Sequence, residues 1–240
     1  NPTIKLNYIL QKVLTRRGIG LGKELDNFIK PSRLPKAEDH FPELEKANNR
    51  IIEACNCKQK IAICGDYDAD GMTSTALLVE ILSMLGGDVI PYIPSRINDG
   101  YGLNTKMITA INNNNIKLIV TVDNGISATE AIKKANKLNI DIIITDHHKI
   151  PNNKPNIFAL IHPEMTPYNS PYKYLAGVGI AYLIAQSICK KTNIKIENSS
   201  AIELFCIGTV ADMAPLLGAN RMWLKEGLPI LKTTKNKGLK

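Results

Sequence analysis

Short, mainly apolar segments, each followed by polar residues, limit the folds that this chain can adopt. Such runs occupy residues 61–64, 117–122, 140–145 and 157–161, and residues 88–93 form a further predicted strand. Segments with helical spacing separate them. Continuous β-branched runs that alternate with helices are typical of a parallel sheet covered on both faces. We therefore predict an α/β fold, with a mostly parallel, doubly wound sheet, helices on both faces and a helical C-terminal segment.

Acidic and imidazole side chains follow several of these strands. They lie at 66–70, at Asp123, at 146–148 and at His162. In parallel sheets, ligands bind beyond the carboxyl ends of the strands. We expect these side chains to meet at one edge of the sheet. Asp212 follows the apolar segment 208–211, and we expect it to reach the same edge.

The acidic stretch after the first strand contains Asp66, Asp68 and Asp70 at alternate positions, before a predicted helix at 72–85. Alternate residues of an extended segment project to one side, so the three carboxylates are predicted to point at one place. Like charges held that close raise one another's pKa, which favours a multivalent cation between them. A solvated acidic turn is the alternative interpretation.

A set of carboxylates with one imidazole provides the candidate metal ligands. They are Asp68, Asp70, Asp123, His147 and Asp212, with Asp66 nearby. Such a set suits hard divalent ions, and the nitrogen favours Mn²⁺ over Mg²⁺, whereas zinc is less suited because no cysteine joins the set. Because the acids exceed what one ion needs, we predict two divalent cations bridged by a carboxylate. Two metals about 3.5–4 Å apart catalyse in-line displacement at phosphorus, so the predicted chemistry is phosphoester hydrolysis.

Charge and cysteine content limit the partners and the location. The 240 residues carry 30 basic and 22 acidic side chains, with a net charge of +8 and a pI of about 9.2. A basic exterior around an acidic cleft suits a polyanion, although a lysine- and asparagine-rich proteome gives the same composition. Five cysteines without a C-x-x-C pair indicate a reducing, cytoplasmic setting. No apolar run reaches membrane-spanning length, so no membrane partner is expected.

Four ordered motifs resemble those of the DHH phosphoesterase superfamily. They are GDYDADG (65–71), VDNG (122–125), DHH (146–148) and GTVADM (208–213). Within the superfamily, IPSRINDGYGLN (93–104), IHP (161–163) and LAGVG (175–179) resemble the RecJ branch of single-stranded-DNA exonucleases. The resemblance covers residues 61–217. It implies a 5′-to-3′ exonuclease that acts on single-stranded nucleic acid, most simply DNA, in repair and recombination; protein partners stay unknown.

The resemblance also implies roles for individual residues. Asp68, Asp70, Asp123, His147 and Asp212 would bind the metals, with Asp123 bridging. His148 and Asp66 are the candidate catalytic residues: His148 would contact the scissile phosphate or its developing charge, and Asp66 would be an accessory metal ligand or would position one. Candidate phosphate contacts are Arg96, Ser74, Thr73 and His162, the two hydroxyls because a helix N-terminus can hold a phosphate. Arg96 as an exposed loop arginine, and His162 as a structural hydrogen-bonding residue, are the alternatives.

Two departures from the superfamily's patterns bear on the assignment. The pyrophosphatase and oligonucleotide-phosphatase branches carry histidine where this chain has Cys64, which favours the RecJ branch. A small-substrate phosphodiesterase acting on cyclic dinucleotides, short oligonucleotides or phosphoadenosine phosphate is the alternative. A non-catalytic replication scaffold is a third, disfavoured because all five ligand positions are intact. The RecJ family's DHH-associated domain and oligonucleotide-binding barrel are not found in this sequence, so we expect it to be a fragment.

The remaining predictions concern organisation and helix ends. Residues 1–55 are predicted to form an arm that packs on the core, 56–217 the catalytic domain and 218–240 a helical connector. Within the arm, helices are expected at about 4–14 and 41–54. Ser127 and Glu130 have the spacing of a capping box, and Ser199 or Ser200 is expected to cap a helix at 201–210.

Overall fold

The centre of the structure is a parallel sheet whose strand order is β2-β1-β3-β4-β5. The structure is a computed structural model and describes residues 6–20, 22–30, 33–97, 100–153 and 155–240. Its strands are β1 (Lys60–Cys64), β2 (Asp88–Tyr92), β3 (Leu118–Val122), β4 (Asp141–Thr145) and β5 (Ala159–Ile161).

Helices connect the strands and continue beyond the last of them. They are α1 (Tyr8–Arg16), α2 (Lys23–Ile29), α3 (Leu44–Asn56), α4 (Ala69–Met84), α5 (Thr105–Asn113), α6 (Thr129–Lys137), α7 (Gly177–Thr192), α8 (Ala201–Ala211) and α9 (Gly218–Leu231). None of the described helices combines the length and the apolar character needed to cross a bilayer.

The sheet is covered on both faces, which confirms the predicted fold class. Along β1, Ile61 and Ile63 belong to a core shared with α3, α4, α7 and α8, whereas Ala62 and Cys64 belong to a second core shared with α5 and α6. Successive side chains of a strand point to opposite faces, so a run that is apolar at every position can bury both. Each fully buried isoleucine contributes about 1.5–3 kcal/mol.

The strand order creates a crevice at the carboxyl end of the sheet. From β1 the chain passes to β2 on one side and then to β3 on the other, so the connections leave β1 and β3 in opposite directions. Doubly wound sheets with this order bind ligands at that point of reversal. Asp66 follows β1 and Asp123 follows β3, so both lie at this crevice.

The structure corrects several local predictions. Helix α4 begins at Ala69, not at residue 72, with Asp68 as its N-cap. Asp70 therefore lies in the first helical turn, and the predicted extended arrangement of the three aspartates is wrong. The capping box is also wrong, because α6 has Ala128 at its N-cap and Glu130 pairs with Lys133 instead.

The arm and the strand ends differ in extent from the predictions. Helix α1 starts at Tyr8, and the first five residues lie outside the described ones. A second helix, α2, follows Gly22 where only a break was expected. Strand β5 covers only 159–161 instead of 157–161, and α3 starts at Leu44 instead of residue 41.

Candidate metal centre

Asp66, Asp68 and Asp70 reach the crevice through a tight turn between β1 and α4. Asp68 Oδ1 accepts a hydrogen bond from Gly71 N at 2.9 Å, which satisfies a free N–H group of the first helical turn. Gly71 has no room for a side chain, because a Cβ there would lie 2.6 Å from Asp66 N. The glycine thus lets the first turn of α4 pack directly against the backbone of Asp66 at the end of the strand.

Asp70 is held by the first turn of α7. Its carboxylate accepts hydrogen bonds from Gly177 N and Val178 N, both at 2.7 Å, and it is 2% exposed. A helix N-terminus carries partial positive charge and unpaired N–H groups. The two bonds therefore fix the orientation of a buried carboxylate whose position in sequence is more than a hundred residues away.

Asp123 adopts a left-handed backbone conformation, with φ of 60°. Aspartate tolerates this region better than most residues, and Asp123 N donates to Thr145 O at 3.0 Å, which fixes the turn after β3. Gly177 lies against this side chain, since a Cβ on Gly177 would be 2.4 Å from Asp123 Cβ. The turn and the glycine together direct Asp123 into the crevice.

His147 brings the acids of three other elements together. Its Nε2 atom lies 3.0 Å from Asp123 Oδ1 and 3.8 Å from Asp70 Oδ2. Two groups of ligand atoms within 4.8 Å of one another occur in the described residues: Asp123, His147 and His148 in one, Asp70, His147 and Asp212 in the other. Asp212, the C-cap of α8, thus reaches the sheet edge as the sequence predicts.

Asp68 belongs to neither group, and Asp66 lies beneath them. The charge of Asp68 nevertheless contributes to raising the pKa of Asp66, Asp123 and Asp212, after burial as the main cause. Asp66 is fully buried and accepts a weak hydrogen bond from Gly102 N at 3.4 Å. The predicted ligands therefore share one electrostatic environment, while Asp66 sits deeper than the exposed Asp68.

His148 is oriented by Asp146, whose role the sequence did not reveal. Asp146 Oδ1 lies 2.7 Å from His148 Nδ1 and accepts from the backbone N–H groups of His147 and His148, and Oδ2 accepts from Ile126 N. Burial raises the pKa of Asp146, but the hydrogen bonds from His148 and Ile126 outweigh it and lower the pKa. Asp146 is a buried anion that positions both histidines.

Tyr101 is a second residue that the sequence reasoning missed. Its hydroxyl donates to Asp123 O at 3.2 Å and lies 3.3 Å from His148 Nε2. Asn124 Oδ1 holds the same segment by accepting from Leu103 N at 3.0 Å. The stretch 93–104 carries a family resemblance, but a tyrosine between two glycines gives no signal of its own for a role.

The four predicted phosphate contacts occupy different environments. Arg96 is exposed, and its guanidinium carbon lies 5.5 Å from the ring centroid of Tyr67, which in turn packs edge-on against Tyr101. Arg96 therefore lies at the mouth of the crevice, where an anion can approach it.

The contacts of Thr73, Ser74 and His162 do not fit phosphate binding. The Thr73 hydroxyl donates to Ala69 O at 2.7 Å, and the fully buried Ser74 lies 3.4 Å from Asp70 Oδ1. His162, also fully buried, lies 2.7 Å from His148 O through Nε2 and accepts from Glu164 N through Nδ1. Their polar atoms are engaged within the protein, which favours structural roles for all three, and His162 supports His148 through its backbone oxygen.

The electrostatics of the cluster favour a bound cation. Burial, with the like charges of Asp70 and Asp68, raises the pKa of Asp123 to about 7. Burial lowers the pKa of His147, but the adjacent carboxylates of Asp123, Asp212 and Asp70 outweigh it and raise the pKa to about 9. Raised pKa values of both the carboxyl groups and the imidazole indicate that the cluster carries excess negative charge.

Unpaired oxygen atoms in the cluster also fit a metal site. Asp66 Oδ2 and Asp123 Oδ1 are buried and make no well-directed hydrogen bond with the described residues, although His147 Nε2 lies close to the latter. Buried polar atoms without partners are rare in folded proteins. Carboxylate oxygens with an imidazole nitrogen suit Mn²⁺ or Mg²⁺, so the donor set present matches such ions.

Comparison with known proteins finds relatives that match most of this chain. The chain is 39% identical over 197 residues to the single-stranded-DNA-specific exonuclease RecJ of Bacillus subtilis (strain 168), covering 82% of this chain and 24% of that protein. It is 35% identical over 238 residues to the RecJ of the same description from Escherichia coli (strain K12), covering 95% of this chain and 41% of that protein. The chain thus spans less than half the length of these relatives.

A solved structure and a family model agree with these relatives. The crystal structure of an exonuclease RecJ bound to manganese matches with a TM-score of 0.76 and 33% identity, over 83% of this chain and 50% of that one. The model of the DHH family, N-terminal domain, matches residues 60–209, the region that carries β1 to β5 and all the predicted metal ligands except Asp212. Because that match covers more than half of the chain, the chain belongs to the DHH family.

Proposed function

We propose that the chain contains the catalytic core of a metal-dependent phosphodiester hydrolase that removes nucleotides from the 5′ end of single-stranded DNA. The observation that carries the proposal is the convergence of Asp70, Asp123, His147 and Asp212, from four separate elements, at the crevice of the sheet. The similarity to exonucleases called RecJ supports the substrate class. The proposed catalytic region is 56–217, with 1–55 as an arm and 218–240 as a connector.

The proposed metal ligands are Asp68, Asp70, Asp123, His147 and Asp212, which would hold two divalent cations, Mn²⁺ or Mg²⁺. When bound, such cations polarise the phosphodiester and make hydroxide available from water at neutral pH. The protein's contribution is preorganisation, because the α7 N–H groups fix Asp70 and the left-handed turn fixes Asp123.

His148 and Arg96 are the proposed phosphate contacts. Nδ1 of His148 is engaged by Asp146, so Nε2 is the nitrogen that faces the crevice beside Tyr101. A donor aimed at a phosphate oxygen stabilises the charge that develops in the transition state. Arg96 at the mouth would bind a phosphate before it reaches the cluster. Thr73, Ser74 and His162 are not retained in this set, and Asp66 is proposed to position the turn before α4.

The test is cleavage of 5′- and 3′-labelled single strands by the full protein with Mn²⁺, with Mg²⁺ and with EDTA. We expect metal-dependent release from the 5′ end. Asp123→Asn keeps a residue that tolerates positive φ and should lower the rate about a thousandfold or more, as for residues that act as one catalytic unit. Asp88→Asn, an exposed aspartate at the start of β2, is the matched control and should leave the rate within about twofold.

Two results would change the proposal. Cleavage that persists in EDTA, or in Asp123→Asn at the wild-type rate, would overturn the metal-dependent mechanism. Dinucleotides hydrolysed far faster than long strands would replace the exonuclease assignment with a small-substrate phosphodiesterase while keeping the metal centre.

A further inference from the structure

A cavity of about 650 Å³ lies among the C-terminal helices, apart from the metal ligands. Side chains of α7, α8 and α9 line it, together with the 3₁₀ turn Ile196–Asn198 and the segment that follows α9. Its volume falls within the roughly 300–1,000 Å³ of small-molecule sites. Glu203 lies at the N-terminal end of α8 and Asp212 at the other end, roughly 14 Å apart at 1.5 Å per residue.

The lining of this cavity is acidic, although the whole chain carries a net charge of +8. Glu197, Glu203 and Glu226 come from three different elements, and Lys235 is the basic residue of the lining. Neither Glu203 nor Lys235 forms an ion pair with another described residue. A concentration of carboxylates that is not neutralised internally attracts a cation from solution.

Glu203 does not form the capping box that its position three residues after Ser200 favours. Ser200 is the N-cap of α8, and a glutamate three residues later would normally return to the Ser200 N–H in a capping box. That N–H group donates instead to both carboxylate oxygens of Glu80, at 3.1 Å each. The Glu203 carboxylate is thereby left to face the cavity.

Glu203 is also buried without a partner. It is 7% exposed, lines the cavity and accepts no hydrogen bond from any described residue. Buried carboxylates are usually paired or bound to an ion, so a cation inside the cavity would supply the partner that the described residues do not.

We propose that this cavity binds an aliphatic ammonium compound, a diamine or polyamine. The ammonium groups would pair with Glu203 and with Glu226 or Glu197, and the methylene chain would lie along the apolar part of the lining, which is formed by Ile196, Ile202 and Ile230. A bare divalent cation would use only the carboxylates and would leave that apolar surface in contact with water.

The experiment is isothermal titration of the full protein with spermidine in EDTA, without nucleic acid. We expect saturable binding that Glu203→Gln weakens at least tenfold, because the substitution removes the buried charge and keeps the shape. Glu53→Gln removes one exposed charge from α3, away from the cavity lining, and should bind spermidine as the wild type does. Lys235→Ala should bind about threefold or more tightly, since it removes a like charge from the lining.

Further variants separate the cavity from other acidic sites and from misfolding. Asp123→Asn should leave spermidine binding unchanged, because Asp123 lies in the metal centre and not in this cavity. Glu226→Gln changes an exposed residue of the rim and should weaken binding even if Glu203→Gln does not fold. The chain's single tryptophan, Trp223, has its ring 5.1 Å from that of Tyr182, which lines the cavity, so its fluorescence should change with the same affinity.

Three outcomes would overturn the proposal. The first is no saturable binding at millimolar spermidine. The second is affinity that is unchanged in both Glu203→Gln and Glu226→Gln. The third is displacement of spermidine by stoichiometric Mn²⁺ in the Asp123→Asn variant. If that displacement required Glu203, the cavity would be a metal site.

Discussion

The molecule contains two concentrations of carboxylates that are built in opposite ways. At the sheet edge, Asp70 accepts hydrogen bonds from two N–H groups of α7. Asp146 accepts hydrogen bonds from three backbone N–H groups and contacts the imidazole of His148. In the C-terminal cavity, Glu203 has no donor among the described residues. Oxygens fixed by backbone donors suit an ion that demands a set geometry, whereas unfixed carboxylates suit a flexible organic cation.

The difference follows from the elements that supply the acids. Strands of a parallel sheet end at the same edge, so the residues after β1, β3 and β4 are placed by the backbone register itself. The cavity forms where helices pack at their ends, and its side chains come from separate surfaces. Helix α7 takes part in both, because its first turn binds Asp70 and Tyr182 lines the cavity.

The largest effect that tests this contrast is expected from Gly177→Ala. A Cβ at this position would lie 2.4 Å from Asp123 Cβ, and the clash would move the α7 N–H groups away from Asp70. We expect at least a tenfold loss of Mn²⁺ affinity and a loss of about 1–3 kcal/mol in the free energy of unfolding, measured by titration and thermal denaturation. Spermidine binding in the cavity should survive.

Gly179→Ala provides the matched control for this prediction. It lies in the same turn of α7, but its Cβ would meet the Leu175 side chain, at 2.9 Å from Cδ2 and 3.2 Å from Cβ, and not a predicted metal ligand. It should keep the Mn²⁺ affinity of the wild type. Equal affinities of Gly177→Ala and the wild type would show that the rigid placement of Asp70 does not depend on this close approach.

The pH dependence of metal affinity is expected to give the next largest effect. The pKa of Asp123 is raised to about 7 and that of His147 to about 9, so a metal must displace protons from both. Mn²⁺ affinity should therefore rise with pH, by up to about tenfold per unit for each displaced proton, and should level off above about pH 9. Titrations between pH 6 and 9 measure this slope.

The raised pKa values of Asp123 and His147 also determine how the stability of the metal-free protein changes with pH. Both pKa values exceed their ordinary values of 3.8 and 6.5, so the folded state holds protons that the unfolded chain has released. Their contribution to the free energy of unfolding is complete below pH 3.8 for Asp123 and 6.5 for His147, and it is lost as the pH rises through about 7 and about 9 respectively.

The pH dependence of Mn²⁺ affinity has its own control. Glu203→Gln should leave the slope of Mn²⁺ affinity against pH unchanged, and a flat slope in the wild type would contradict the assignment of these ligands.

The smallest effect is expected from Tyr101→Phe. The substitution removes the hydroxyl that donates to Asp123 O and lies beside His148 Nε2, but it keeps the ring. One hydrogen bond is worth about 0.5–1.5 kcal/mol, so kcat should fall roughly three- to tenfold with little change in KM. Tyr168→Phe, at a residue that is 84% exposed, should have no effect, and an equal loss in both variants would remove Tyr101 from the site.

The order of elements could be predicted because the apolar runs bury both faces of each strand. The runs at 61–64, 117–122 and 140–145 can be satisfied only inside a doubly covered sheet, and the residues after them must then lie at one edge. The location of Asp123 and His147 at that edge could be predicted from this arrangement alone. The local path of 66–70 could not be predicted, because close packing at Gly71 decided where α4 begins.

The sequence by itself determined the fold class, the edge at which the acids gather and the kind of ion they suit, since these depend on residue pattern and on ligand chemistry. Only the tertiary structure decided which polar groups are free. Thr73 and His162 are hydrogen-bonded to backbone oxygens, and Asp146 orients the two histidines. The Ser200 N–H group, which Glu203 would accept in a capping box, donates to Glu80 instead. A hydrogen bond between residues far apart in sequence leaves no periodic trace, so contacts of this kind emerge only when the elements pack.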